Sequence, residues 1–93
     1  MKKIGKYNYE KSDRKNKKLM VIVNNRKIHF GDVRYQQFKD ATGIYKNLDH
    51  NDQERRKRYL KRATNIKNKK GELTYKDPES PNYHAVRILW AGN

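Results

Sequence analysis

Arg55, Lys57, Arg58, Lys61 and Arg62 crowd into eight residues of the stretch NDQERRKRYLKRATNI, residues 51–66. The chemistry open to such a cluster is electrostatic. Each phosphate neutralised by Lys or Arg frees a condensed counterion, and a row of cations along about two helical turns follows a nucleic-acid backbone without reading its sequence. A second basic group, Arg14, Lys15, Lys17, Lys18, Arg26 and Lys27, is placed to grip flanking phosphates. Base readout would need Asn or Gln aligned with the arginines, and Asn65 is the one candidate on the ridge. The expected activity is therefore nonspecific, salt-sensitive nucleic-acid binding, DNA in preference to RNA.

Other chemistries have weaker residue support. Asp32, Asp40, Asp49, His50, Asp52 and Glu54 supply enough oxygen and nitrogen ligands to imagine a metal-dependent nuclease. Asp52 and Glu54, however, point to different sides of a helix and lie in its first turn, where acids favour the macrodipole. Gly43-Ile44-Tyr45 spells the opening of a nuclease signature whose second tripeptide and catalytic Arg and Glu arrangement are missing here. His29 reads as a half-exposed strand residue with no partner for acid–base work in its neighbourhood. The chain holds no cysteine, which excludes disulfides and thiolate metal sites. No catalytic residue, metal or cofactor is expected.

The elements that position the cations follow from periodicity. Over 51–66, Asn51 and Glu54 have capping-box spacing, and Tyr59, Leu60, Ala63 and Ile66 fall on one apolar arc. The five cations occupy the opposite side. Arg56 interrupts the apolar arc, and either snorkels to water or pairs with a carboxylate such as Asp32 or Asp40.

Upstream, Tyr7–Glu10 alternates like a short strand and Ser12–Lys17 reads as a loop. Asn24-Asn25 suits a two-residue type I′ hairpin between Lys18–Val23 and Arg26–Phe30. That turn pairs Val23 with Arg26, Val21 with Ile28 and Leu19 with Phe30 on a core face, leaving Met20, Ile22, Lys27 and His29 on the other. Asp32 can cap a helix over 33–41, carried by Tyr35, Phe38 and Ala41 and stopped by Gly43. A brief extended piece is expected at Leu73–Tyr75. Ser80-Pro81 starts a helix over 81–91, with Tyr83, Val86, Leu89 and Trp90 at helical spacing up to Gly92. Trp90 is expected to close the core, with base stacking as its alternative use. The fold class is α+β: a small antiparallel hairpin or meander over about 7–30 packed against two or three short helices. Residues 1–6 are expected to be a flexible basic tail and 7–93 one domain.

Composition supports the electrostatic reading. The 93 residues carry a net charge of +14, with 37% charged and 33% hydrophobic residues. Residues 1–31 hold ten Lys/Arg against two acids and residues 51–71 nine against two, so two blocks contain nearly all the excess. Charge concentrated in this way marks a polyanion binder. No apolar run approaches the roughly 20 residues that cross a bilayer, and the N-terminus lacks the apolar centre of a signal peptide, so an intracellular, unsecreted protein is expected.

Several short motifs in order, Ile28-His29-Phe30-Gly31, then His50-x-Asp52-x-Glu54-Arg55-x-x-Arg58-Tyr59-x-x-Arg62, then Leu89-Trp90, carry a resemblance. Over most of residues 7–90 the chain resembles small basic proteins of unassigned function encoded by large DNA viruses of eukaryotes. Ala63 departs from that pattern, which often has a second His there, and the segment before His50 is longer. The resemblance implies a viral setting in an infected cell, genome packaging or organisation as the use of nucleic-acid binding, and a virion location with capsid or other virion proteins as partners. It equally implies the alternative of a minor structural component that bridges acidic proteins.

Overall fold

Asn24 and Asn25 both adopt left-handed backbone, φ 51° and 66°, as a type I′ turn requires. The turn joins β3 (Lys17–Val23) to β4 (Arg26–Asp32) with Val23 opposite Arg26, Val21 opposite Ile28 and Leu19 opposite Phe30, the register that the sequence pattern predicts. The structure, a computed structural model, describes residues 2–91; Met1, the expected stop at Gly92, and Asn93 lie outside the described residues. β2 (Tyr7–Lys11) pairs with β3, and β1 (Lys2–Ile4) with β2, giving an antiparallel meander in the order β1-β2-β3-β4. The stretch expected as a flexible tail thus contains an edge strand. Gly5, at φ 63°, opens the two-residue turn that returns it to β2.

Tyr9, Leu19, Val21, Val23, Ile28 and Phe30 make the buried face of this sheet. It is covered by α2 (Pro81–Leu89), which lies on β4 and contributes Ala85, Ile88 and Leu89, with Trp90 just beyond. Ser80 caps this helix by accepting from the Asn82 N–H, and Pro81 fills its first position, where no N–H is missed. His84 is fully buried beneath it. Its Nε2–H donates to the Pro78 carbonyl at 2.6 Å, and its Nδ1 accepts from the Tyr9 hydroxyl at 2.8 Å. Burial holds this imidazole below its ordinary pKa, against the pull of the Pro78 carbonyl, and pushes the Tyr9 hydroxyl up to about 12.

On the opposite face of the sheet, His29 is 8% exposed rather than half-exposed. The loop after β2 folds over it, and the Ser12 hydroxyl and its Nδ1 share a hydrogen bond of 2.7 Å.

Residues 33–41 are not a helix. The Asp32 carboxylate accepts from the Arg34 backbone N–H, the bond a helix cap would make, and from the Arg34 guanidinium, yet no helix follows. Beyond it, backbone N–H groups that a helix would use internally are given to other parts of the molecule. Gln37 donates to the Leu48 carbonyl, Lys39 to Leu89 and Ala41 to Ile88. The segment runs irregularly past the C-terminal end of α2 and supplies donors to carbonyls that the helix leaves without partners. Of the proposed apolar face only Phe38 enters the core; Ala41 is exposed and Tyr35 is 66% exposed.

The basic helix is α1 (Gln53–Ala63). Its cap is Asp52, whose carboxylate accepts from the Glu54 and Arg55 N–H groups, instead of Asn51. Asn51 sits at φ 54° and donates its own N–H to the Phe38 carbonyl, so no capping box with Glu54 is needed. Helix α1 ends before Ile66, which is 50% exposed. It packs on α2 as an outer layer, with Ala63 buried and the Tyr59 and Trp90 rings stacked at 4.0 Å between centroids.

Arg56 neither snorkels to water nor meets a carboxylate. Its Nε donates to the Trp90 carbonyl at 2.9 Å and its Nη2 to the Ala91 carbonyl at 3.1 Å, with the guanidinium over the Phe38 ring. Between α1 and α2, the expected extended piece at Leu73–Tyr75 is reduced to a bridge from Leu73 to Lys67, followed by a 3-10 turn at Thr74–Lys76.

Two outcomes test this architecture. Arg56→Met keeps the aliphatic stem but removes the charged donors to two carbonyls, and should lower unfolding stability by about 2 kcal/mol in denaturant titrations. Acid should also destabilise the fold. Because the folded pKa of His84 lies below the unfolded value of about 6.5, the unfolded chain takes up a proton that the folded chain refuses. Stability present above pH ~6.5 should therefore be lost progressively as pH falls below it. NMR titration should place the His84 imidazole below that value, and an imidazole titrating above it would contradict the burial argument.

Candidate nucleic-acid interface

At about 100° per residue the five cations spread over an arc of about 160°, with Arg55, Arg62 and Arg58 within about 60° of one another and Lys61 and Lys57 continuing it beyond Arg58. The ridge is therefore continuous, with an arginine edge and a lysine edge. The arginine stripe faces a cleft of about 510 Å³, whose other wall is the start of β3 at Lys17 and Lys18. Ala85, Leu89 and Trp90 provide its apolar lining, Asp32 lines it from the end of β4, and Tyr35 and Gln36 from the segment that follows. Lys57 and Lys61 are exposed but take no part in that lining.

The second basic group divides. Lys17 and Lys18 join the cleft, and Arg14 and Lys15 lie exposed in the adjoining loop. Arg26 and Lys27 are at the hairpin tip, about 20 Å along the strand from Lys17. Each of those two meets an acid of the protein: Arg26 lies 3.3 Å from Glu79, and Lys27 lies 3.2 Å from Asp13. Both pairs are exposed and contribute little attraction, but they lower the net field at the tip.

Lys18 is the unusual member. It is 2% exposed, and its ammonium donates to the side-chain carbonyl of Gln37. Gln37 in turn donates to the Tyr45 carbonyl at 2.9 Å and to the Asp49 carboxylate at 2.6 Å, so the amide is fixed in orientation. Burial lowers the Lys18 pKa, partly offset by Asp40, Asp32 and Asp49. Among the described residues, none of Lys17, Lys18, Arg55, Arg58 and Arg62 forms a salt bridge. Arg55 is held by a neutral group, the Gln36 side-chain carbonyl at 2.9 Å. The acid in the lining, Asp32, is already paired through two hydrogen bonds with the Arg34 guanidinium, which holds its pKa at about 2.

The remaining chemistry-bearing groups are engaged locally. Asp40 accepts from the Thr42 N–H and hydroxyl and from the Tyr45 N–H; Asp49 accepts from Gln37 and from the Asp40 N–H. His50 Nδ1 accepts from the Asp52 N–H, leaving its buried Nε2 without a partner. These groups do not gather: among the described residues, no cluster of three His, Asp or Glu has the geometry to hold a metal. Asn65, the base-readout candidate, donates to the Lys61 carbonyl just past the helix end.

His29 does have partners, which the sequence pattern missed because they lie on the preceding loop. Besides Ser12 at Nδ1, the Asp13 carboxylate lies 4.0 Å from Nε2. These are the residue types of a nucleophile, base and orienter. The Ser12 hydroxyl, however, also accepts from the Arg14 N–H at 3.0 Å, and the cleft does not reach it. The trio pins the loop that carries Arg14 and Lys15.

A charge whose burial is opposed by desolvation contributes little to folding. Lys18→Met removes that charge but leaves the buried Gln37 carbonyl without its donor, so stability should fall by about 1–2 kcal/mol, against the 3–5 kcal/mol typical of breaking a buried ion pair. Denaturant midpoints at neutral pH check this.

Comparison with curated proteins finds no match, and neither does comparison with solved structures. One family model matches residues 7–63, described as a family of unknown function, DUF5754. The match runs from the first residue of β2 to the last of α1 and includes every basic residue assigned above. Matched over more than half of its length, the chain belongs to this family of unknown function.

Proposed function

We propose that the protein binds nucleic acid without sequence preference, DNA before RNA, through the arginine stripe of α1 and the lysines that open β3. The carrying observation is convergence. Cations from segments far apart in sequence meet across one cleft, and the protein's own acids leave them unpaired among the described residues.

The spacing suits a strand. From Arg55 to Arg62 the helix rises about 10 Å, which spans about three phosphates of one strand. Within a Debye length of about 8 Å at physiological salt, the cations act on an approaching phosphate as one field. Arg14 and Lys15 extend that field along the loop, and Lys57 and Lys61 reinforce it at longer range. Their positions supply phosphate contacts and no base-edge reader, hence the lack of sequence preference. The resemblance to small basic viral proteins supports genome packaging or organisation as the setting.

Fluorescence anisotropy across a salt series tests the reading. Log affinity for duplex DNA should fall linearly with log salt at a slope of about −4, as expected for four to five phosphate contacts. Arg58→Glu with Arg62→Glu should flatten that slope by about 2, whereas Arg26→Glu at the hairpin tip should change it less. Unchanged DNA affinity in the double variant would sink the proposal. Binding to acidic proteins with no measurable DNA affinity would favour a bridging component of a particle instead.

A further inference from the structure

We infer that the cleft between α1 and the start of β3 is a receptor for the phosphomonoester of a nucleotide, either free or at the end of a strand. The inference rests on the reading of this face as a polyanion surface and narrows it to one ligand group.

Size is the first argument. A volume of about 510 Å³ corresponds to a space about 8 Å on edge, within the range of small-molecule sites. A duplex, whose major groove alone is about 12 Å wide, lies across such an opening and does not enter it. One nucleotide fits inside.

Charge is the second. Cations stand on both sides, Arg58 and Arg62 on α1 and Lys17 on β3 with Lys18 buried behind it, while Asp32 in the lining is paired with Arg34, so a group placed between them meets positive charge from two directions. A backbone phosphodiester carries one charge and needs an exit for the chain at both ends. A phosphomonoester carries about −1.5 to −2 at neutral pH, offers three acceptor oxygens and is tethered on one side only. Its charge and its three acceptors match a cleft with cations on two sides better than a phosphodiester does.

Donor accounting points the same way. The Lys18 ammonium has three N–H groups and makes one hydrogen bond, to the neutral Gln37 amide. Neither the Arg58 nor the Arg62 guanidinium donates to a side chain or carbonyl among the described residues. A lysine that is 2% exposed and opposed by desolvation is a costly place to hold a positive charge, and an anion in the cleft would offset that cost. The walls also suit the rest of a nucleotide. Tyr35, 66% exposed, and Tyr59, already stacked on Trp90, present rings to the cleft for a base.

The test uses the full chain and one short single strand made in three forms: 5′-phosphate, 3′-phosphate and hydroxyl at both ends. AMP, adenosine and inorganic phosphate serve as competitors. A terminal phosphate should tighten binding about tenfold, AMP should displace the phosphorylated strand at lower concentration than inorganic phosphate, and adenosine should not compete. Lys18→Met and, independently, the exposed-site variant Arg58→Gln should erase the tenfold difference between phosphorylated and hydroxyl-ended strands, whatever weakening each causes in the affinity of the hydroxyl-ended strand itself. Should Lys18→Met fail to fold by circular dichroism, Arg58→Gln carries the test alone. AMP binding without strand binding supports the cleft for a free nucleotide and overturns the polymer reading. Equal affinity for all three strands, with a steep salt dependence and no AMP competition, overturns this inference and leaves the nucleic-acid reading intact. Loss of every interaction overturns both.

Discussion

Four consecutive carbonyls at the end of α2 tie the molecule together. Ile88 and Leu89 accept from the backbone N–H groups of Ala41 and Lys39, and Trp90 and Ala91 accept from the guanidinium of Arg56. A helix end buried without such partners would cost roughly 1–3 kcal/mol for each unsatisfied group. Meeting that demand draws two other parts of the chain to one place. The irregular segment after β4 is held along the end of α2, and α1 is clamped over Trp90. A cation at the negative end of a helix is favoured by the macrodipole as well as by its hydrogen bonds. The cleft is a by-product of this arrangement, since α1 is fixed against α2 and stands clear of the sheet.

The same arrangement explains why one helix can be both structural and cationic. Helix α1 spends a narrow stripe, Arg56, Tyr59, Leu60 and Ala63, on its contacts with α2 and its surroundings. Everything else on its circumference remains available for charge. Arginines line the cleft side, where their planar forks can meet phosphate with two donors at once, and lysines face open solvent. The neutral amides of Gln36 and Gln37 orient Arg55 and Lys18 without cancelling their charge.

How much of this was legible in the sequence depends on the range of the interactions involved. The hairpin register followed from Asn24-Asn25 and strand alternation, both local, and the α2 start followed from Ser80-Pro81. The helix proposed over 33–41 failed because its spacing of Tyr35, Phe38 and Ala41 is a local signal, whereas its backbone donors are claimed by carbonyls from distant parts of the chain. Asn51 lost the cap to its neighbour Asp52 for a similar reason: its N–H is used by Phe38. The Arg56 contact was out of reach because its partners are backbone carbonyls, which leave no trace in residue identity. Lys18 shows the same limit within the site. In the sequence it is one lysine in a basic run, and its burial depends on Gln37, Gly31 and Leu89 meeting it in three dimensions. Of the eleven basic residues picked out, five surround the cleft, and the composition alone could not separate those five from the rest.

The sheet is completed early in the chain, yet the helix that covers its apolar face comes last among the elements. During synthesis at about 5–20 residues per second, that face stays wet for on the order of several seconds after β4 has left the ribosome. Throughout that interval the nascent protein presents an uncovered hydrophobic surface beside a dense positive charge, and the mutual repulsion of neighbouring chains opposes their aggregation.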